Sequence, residues 1–243
     1  MTAPTTRFDA IDALRGVAIV WMTVFHFCFD LGYFRYIRQD FYTDPFWTWQ
    51  RAAIVSLFLF CAGLGQAVAV EQRQDARRFW KRWVQVAGCA LLVSAASWIV
   101  FPKSFIYFGV LHGIAVMLVI VRYSAGWGRG LWLAGALALA LQLVAGQAHA
   151  VWPALDFLNG RGWNWLGLVS RKPFTEDYVP LIPWLGVMWW GMASGQWLLT
   201  QRRAILMRRL PSAVAPLSWL GRWSLSWYML HQPILFGILL LVR

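Results

Sequence analysis

Two residues that can move a proton lie one helical turn apart near the start of the chain. His26 and Asp30 stand at positions i and i+4 of an apolar segment, so a helix would place both on one face. A carboxylate can orient an imidazole and stabilise its charged form, as it does for catalytic histidine bases. We therefore predict that His26 acts as a general base supported by Asp30. The alternative is a structural pair that holds two helices together.

Other polar side chains also lie in apolar segments, where an ionisable group costs about 2.5–3.5 kcal/mol at a helix centre and normally faces a bundle interior. Arg15 precedes His26 by about three turns on roughly the same helix face. His112 follows a glycine-containing turn in FGVLHGI, and His231 lies near Tyr228 in WSLSWYMLHQP. We expect His26, His112 and His231 to approach one another in one pocket. Packing histidines are the alternative for His112 and His231.

An acid and an aromatic residue flank two prolines in the stretch DYVPLIPWLG. Pro180 and Pro183 fix φ and disfavour helix before them, so the chain can hold a rigid bend at the membrane surface. A carboxylate accepts hydrogen bonds from sugar hydroxyls, and an indole covers an apolar ring face. We predict that Asp177 and Trp184 contact an acceptor at the outer mouth of the pocket. The alternative is that Asp177 caps the following helix and Trp184 belongs to an interfacial belt.

The composition indicates the class of structure that must position these residues. The chain has 243 residues, of which 60% are hydrophobic and 13% charged, whereas soluble domains carry about 25% charge. These values exclude a disordered chain and a soluble two-domain protein, and they predict an all-α polytopic membrane bundle forming a single domain over residues 1–243. The net charge of +12 fits cytoplasmic loops beside anionic lipid rather than nucleic acid binding. No group of side chains has metal-ligand spacing, so we expect no metal site.

Hydropathy predicts about seven transmembrane helices, each needing about 20 mainly apolar residues. The predicted spans are Ile11–Leu31, Ala52–Val70, Trp83–Phe101, Phe105–Val121, Leu131–Val151, Pro180–Leu199 and Leu217–Val242. The loop Glu71–Arg82 is rich in Lys and Arg, which predicts a cytoplasmic N-terminus and an extracytoplasmic C-terminus. The outer segments Gly32–Arg51 and Trp152–Val179 then carry acids among aromatics, a composition that suits a sugar or an amine.

Four stretches, in this order, carry a resemblance to a known family: RFDAIDALRGVAIVWMTVFHFCFDL, FGVLHGIAVML, DYVPLIPWLGVMWWGMASGQ and SLSWYMLHQPILFGIL. Together they resemble the catalytic domain of the heparan-alpha-glucosaminide N-acetyltransferase family in a short bacterial form. The opening Arg–x–x–x–x–Asp–x–Leu–Arg–Gly pattern is also similar to membrane acyltransferases that decorate bacterial surface polysaccharides. The resemblance extends over nearly the whole chain.

The resemblance implies an acyltransferase of the bacterial cytoplasmic membrane that works across the bilayer. Cytoplasmic acyl-CoA, typically acetyl-CoA, would be the donor, and an extracytoplasmic sugar or amino sugar the acceptor. Arg15 would guide the donor, and His26 with Asp30 would serve as the base. His112, Asp177, Trp184, Tyr228 and His231 are the candidate substrate-binding residues. In the lysosomal enzyme the histidine implicated in catalysis lies in the loop after the first helix, whereas Gly32–Arg51 contains no histidine, which excludes an acyl-histidine there.

Two other classes of function remain open. A transporter or flippase of a small envelope precursor would use the same intramembrane charges as a proton relay, although no inverted repeat is visible. An accessory subunit of an envelope complex would have no reason to keep polar sites open to water. The expected partners are the lipid bilayer, acyl-CoA and a saccharide, with self-assembly into a homo-oligomer left open.

Overall fold

A computed structural model describes residues 7–242, whose regular secondary structure is helical without a named strand. The described residues form nine α-helices: α1 (Asp9–Tyr33), α2 (Pro45–Glu71), α3 (Ala76–Val100), α4 (Val110–Tyr123), α5 (Gly130–Val151), α6 (Leu181–Gln201), α7 (Arg203–Met207), α8 (Ala215–Arg222) and α9 (Ser224–Val242). Short 3₁₀ helices occupy Ala125–Trp127, Pro153–Asn159, Asn164–Leu166 and Ser212–Val214. The predicted all-α class is confirmed.

Five of these helices, namely α1, α2, α3, α5 and α9, are long and apolar enough to cross a membrane. The predicted count of about seven is not confirmed. The fourth predicted span yields a helix of only 14 residues, because residues 105–109 precede the helix that starts at Val110. The last predicted span is divided at Trp223 into the eight-residue α8 and the 19-residue α9. The sixth predicted span corresponds to α6, which has 21 residues and contains a non-helical residue, Ile182, near its start.

The chain divides into two compact units. The first unit consists of Met1–Cys61 and Arg202–Arg243, and it contains α1, the first part of α2, and α7 to α9. The second unit is Ala62–Gln201, with the rest of α2 and α3 to α6. A single domain over residues 1–243 stays a prediction beside this division.

In the first unit, α1 crosses α8 at very short range because glycines stand at the crossing. A Cβ atom on Gly16 would overlap the carbonyl oxygen of Leu217, and one on Gly221 would overlap the carbonyl oxygen of Asp12. Only glycine fits at such a backbone approach. The crossing therefore places the last turn of α8 beside the first turns of α1, and α9 starts directly after it.

An apolar cluster in the same unit supports the C-terminal half of α1. Its buried members are Ile19, Met22, Phe25, Phe41 and Ile54. The Tyr228 side chain of α9 packs against this cluster. Burial of apolar surface stabilises the pairing of α1 with α9 by about 25 cal/mol per Å².

In the second unit, two segments between helices join to form a cap, defined here as residues 101–109 together with residues 153–180. A parallel bridge connects Phe108 with Tyr178. The Glu176 backbone N–H donates to the Ser104 carbonyl at 2.9 Å, and that of Val179 donates to the Phe108 carbonyl at 3.1 Å. The cap leads directly into α4 on one side and α6 on the other.

Candidate functional site

Two histidines from α1 and α9 meet inside the first unit. The Nδ1 atom of His26 lies 2.6 Å from the Nε2 atom of His231. Their ring centroids lie 4.9 Å apart and their planes are 13° apart, so the two nearly parallel rings meet edge to edge at this contact. One turn before His231, the Trp227 indole N–H donates to the Thr23 hydroxyl at 2.9 Å, which ties the two helices together next to the pair. Of the three histidines predicted to approach one another, the structure brings these two into hydrogen-bond contact.

The hydrogen bonds of His231 determine which ring nitrogens carry protons. Its Nδ1 atom lies 2.8 Å from the Tyr228 carbonyl oxygen and 3.2 Å from that of Trp227. Carbonyl oxygens only accept, so the network assigns a proton to this Nδ1, and Nε2 of a neutral His231 is an acceptor. His26 must then donate to it through Nδ1, which leaves the lone pair on His26 Nε2. Within residues 7–242, no hydrogen-bond partner occupies that nitrogen.

This arrangement suits a base that can share its charge. When His26 Nε2 accepts a proton, the proton on His26 Nδ1 can shift across the 2.6 Å contact to His231 Nε2. The positive charge then rests on a ring whose other N–H is held by two backbone carbonyls. The pair therefore accepts one proton and spreads its charge over two buried or half-buried imidazoles, which lowers the cost of that charge.

Asp30, expected to orient His26, has a different partner. Its side chain is fully buried, and its Oδ1 atom accepts a hydrogen bond of 2.7 Å from the Gln232 amide nitrogen. The structure shows no hydrogen bond between Asp30 and His26, and it gives His26 the imidazole of His231 instead. The shared face of α1 therefore does not determine the contact, because His26 and Asp30 each bind a different side chain of α9.

A group of arginines converges on the first turns of α1. The Asp12 carboxylate is 4% exposed, and it accepts hydrogen bonds from Arg15 at 3.1 Å and from Arg7. Arg222 reaches the same carboxylate with an N–O distance of 3.7 Å and binds Asp9 at 2.7 Å. Hydrogen bonding to Asp12 is the main cause that raises the pKa of Arg7. Three guanidinium groups thus face two carboxylates, and the group keeps a positive charge.

Arg15 is the predicted site residue of this group, whereas Arg7 and Arg222 were not predicted. The side chains of Arg7, Arg15 and Arg222 are 55%, 24% and 44% exposed, so each retains donors that an anion can reach. The signal for Arg7 was the opening Arg–x–x–x–x–Asp pattern, which places it beside Asp12. No local signal could have placed Arg222 there, because its approach depends on the glycine crossing of α1 and α8.

His112 belongs to a closed network in the second unit. Its Nδ1 atom accepts from the Gly109 backbone N–H at 3.3 Å, and its Nε2 atom lies 3.0 Å from the Ser94 hydroxyl. That hydroxyl lies 2.6 Å from the Ile106 carbonyl, to which it donates. Both ring nitrogens of His112 are therefore used in fixing the start of α4. The contact that the structure shows among the three predicted histidines is the one between His26 and His231.

Asp177 and Trp184 lie in the second unit as well. The Asp177 Oδ2 atom accepts from the Val110 backbone N–H at 2.7 Å, so this carboxylate caps the first turn of α4. The alternative prediction placed this cap on the following helix, α6, whereas the structure shows it on α4. A Cβ atom on Gly109 would overlap the same carboxylate, which explains the glycine there. Trp184 is half-buried in the first turn of α6.

Aromatic and amide groups hold the cap in shape. The Arg161 guanidinium lies 4.8 Å from the ring centroids of both Phe105 and Tyr107. The side-chain amide of Asn164 donates to the Tyr107 hydroxyl at 2.9 Å. The Tyr178 hydroxyl donates to the backbone carbonyl of Asn164 at 2.6 Å. Burial is the main cause that raises the pKa of Tyr107 and of Tyr178. These contacts fix the segment that presents Asp177 to α4.

No group of three or more His, Cys, Asp or Glu side chains that could hold a metal ion occurs among residues 7–242.

Comparison with known proteins gives one informative match. The model of the family described as "Heparan-alpha-glucosaminide N-acetyltransferase, catalytic" matches residues 7–233, nearly the whole chain. No curated protein and no solved structure matches the chain significantly. The matched range includes the histidine pair, the arginine group and the cap. Together with five helices able to cross a bilayer, this match identifies the chain as an integral membrane protein that belongs to the catalytic-domain family of heparan-alpha-glucosaminide N-acetyltransferases.

Proposed function

We propose that the protein transfers an acetyl group from cytoplasmic acetyl-CoA to an amino sugar or sugar on the other side of the bacterial cytoplasmic membrane. Family membership supports membrane acetyl transfer in general. The observation that carries the assignment of the base is the contact of 2.6 Å between His26 and His231. Through that contact, His26 is left with a lone pair on Nε2 that is available to a nucleophile.

The chemical step needs only one base. The acceptor amine or hydroxyl attacks the thioester carbonyl while its proton passes to His26 Nε2, and the new C–N or C–O bond forms. The C–S bond then breaks, and the CoA sulfur takes the proton from His26, so that free CoA thiol leaves. General acid–base catalysis of this kind contributes about 10²–10⁴ to the rate. Asp30 has no place in this step, because its observed partner is Gln232.

The donor would bind through the arginines around Asp12. Arginine guanidinium groups bind phosphates with paired hydrogen bonds, and CoA carries several phosphate groups. Arg15 and His26 lie about 16 Å apart along α1, taking a rise of about 1.5 Å per residue. The extended pantetheine arm of CoA can bridge such a distance. Arg15, with Arg7 and Arg222, would then hold the phosphates while the thioester reaches the histidine pair.

The acceptor would lie beside His26, and Tyr228 is a predicted contact close to the histidine pair. The Tyr228 ring lies 5.9 Å from that of His231, so it can border the acceptor next to the base. Trp184 stays a predicted acceptor contact. We assign His112 and Asp177 to the support of α4, because they accept hydrogen bonds from the backbone N–H groups of Gly109 and Val110 at the start of that helix.

The experiment is a transfer assay on the full chain in sealed liposomes. Acetyl-CoA is added on one side and glucosamine on the other, with thiol release and N-acetylglucosamine measured separately. The proposal expects both products only when the donor is on the side of the N-terminus, which a tag with a protease site reports. A transporter would move glucosamine without thiol release, and that result would overturn the proposal.

A further inference from the structure

The pair formed by Asp30 and Gln232 contains two acceptor atoms with nothing to accept. Asp30 Oδ1 receives the Gln232 amide at 2.7 Å. The other oxygen of each group, Asp30 Oδ2 and Gln232 Oε1, is buried without a hydrogen-bond partner among the described residues. Buried polar atoms are nearly always hydrogen-bonded, and each exception requires an explanation. Here both exceptions occur on the same two interacting side chains.

A negative charge on Asp30 would have little to stabilise it. The side chain is fully buried in an apolar helix, and no cation forms an ion pair with it in the described part of the chain. The titratable neighbours are His26, one turn earlier on α1, and His231, next to Gln232 on α9. His26 Nδ1 and both ring nitrogens of His231 are occupied by other contacts. Groups in such a place normally become neutral, because an unpaired buried charge is costly.

We propose that Asp30 is a protonated carboxylic acid joined to Gln232 by two hydrogen bonds. The Gln232 amide N–H donates to Asp30 Oδ1, and the acid proton on Oδ2 donates to Gln232 Oε1. Carboxyl and carboxamide groups are planar and have matching pairs of heteroatoms, so one added proton provides the donor that both unpaired oxygens lack. The interaction closes a ring between α1 and α9 immediately beside the histidine pair.

The consequence for catalysis, which rests on the proposed function, is that Asp30 is a positioning residue. It fixes Gln232, and through the backbone it fixes the neighbouring His231 against His26. Because the acid is neutral, it places no negative charge beside the imidazoles. His26 can therefore rest as the uncharged imidazole whose Nε2 lone pair the transfer step requires, instead of being held as a permanent ion pair.

Two substitutions separate this proposal from a catalytic carboxylate. Asp30→Asn replaces the acid O–H by an amide N–H, which can still donate to Gln232. We expect this variant to keep its melting temperature and its rate of thiol release within about threefold of the original. Asp30→Leu removes both hydrogen bonds and should lower the melting temperature clearly. An ionised Asp30 that orients the base would instead make Asp30→Asn lose about 10⁴ in kcat, by analogy with the loss of a triad aspartate.

Infrared spectroscopy tests the protonation state without any assay of activity. The full chain, labelled with ¹³C-carboxyl aspartate, is compared with Asp30→Asn between pH 5 and pH 8. We expect the difference spectrum to contain the carbonyl stretch of a neutral carboxylic acid across this range, and Gln232→Met to shift that band. A difference spectrum with only carboxylate bands at pH 7 would overturn the proposal. Since this readout is independent of turnover, it can fail or succeed separately from the proposed function.

Discussion

His26 donates from Nδ1 to Nε2 of His231 across 2.6 Å, and the carbonyls behind His231 set the direction of that hydrogen bond. A histidine pair with a fixed direction is chemically different from two histidines that only pack together. It leaves one defined lone pair, on His26 Nε2, and one defined route for charge, toward the backbone of α9.

Removing His231 should slow catalysis and leave donor binding unchanged. In His231→Ala, the His26 Nδ1–H loses its acceptor, so the preferred tautomer is no longer fixed and charge can no longer be shared. We expect kcat to fall by about 10–100-fold, a part of the full general-base contribution, with an unchanged KM for acetyl-CoA. Trp227→Phe is the matched control, because it removes a hydrogen bond between α1 and α9 without touching the pair. An equal loss of kcat in both variants would contradict the role of His231.

The close crossing of α1 and α8 at Gly16 and Gly221 predicts that Gly→Ala substitutions there differ sharply in stability from the same change elsewhere. Gly16→Ala and Gly221→Ala place a methyl group on a backbone carbonyl of the facing helix, so we expect a loss of about 1–3 kcal/mol in the free energy of unfolding. Gly237→Ala is the control within the same unit, since no atom lies within 4 Å of its added Cβ. That change should be neutral or should stabilise α9 by up to about 1 kcal/mol. Denaturation in a mild detergent measures the difference, and similar values for all three variants would argue against the close crossing.

Arg15→Gln tests the proposed donor site. The change removes one guanidinium from the group around Asp12, and we expect the KM for acetyl-CoA to rise about tenfold, equivalent to about 1.4 kcal/mol. The KM for glucosamine should not change. Arg78→Gln, on an exposed residue of α3, controls for the general loss of positive charge. If Arg78→Gln raises the KM for acetyl-CoA as much as Arg15→Gln does, the effect is long-range attraction and not a bound phosphate.

Two substitutions of Asp177 distinguish a role as a helix cap from a role in binding the acceptor. Asp177→Ala removes the acceptor of the Val110 N–H and should cost about 0.5–2 kcal/mol of stability. Asp177→Asn keeps an oxygen that can accept this hydrogen bond but removes the charge. We therefore expect Asp177→Asn to resemble the original protein in melting temperature and in both KM values. A raised KM for glucosamine in Asp177→Asn alone would restore the original prediction of acceptor binding.

The sequence was informative where local pattern decides structure. The hydropathy of α1 and the position of His26 on it were predictable, because both depend on one continuous segment. The partner of His26 was harder to identify, since a face shared with Asp30 is a local property whereas contact with His231 depends on how α9 packs. The division between α8 and α9 at Trp223 was not predictable from hydropathy, because the apolar character continues through it. The Asp177 cap on α4 was not predictable from local pattern either, because it joins residues that are far apart in the chain.

The general-base role of His26 is tested most directly by the rate of acetyl transfer in His26→Ala. Product formation from acetyl-CoA and glucosamine is followed by mass spectrometry, with the melting temperature measured on the same preparation. His149→Ala serves as the control, because His149 binds the Leu168 carbonyl in the second unit. We predict that His26→Ala loses about 10²–10⁴ in rate at an unchanged melting temperature, while His149→Ala keeps its activity. A rate for His26→Ala above about a tenth of the original, against the 10²–10⁴ expected of a general base, would contradict this role.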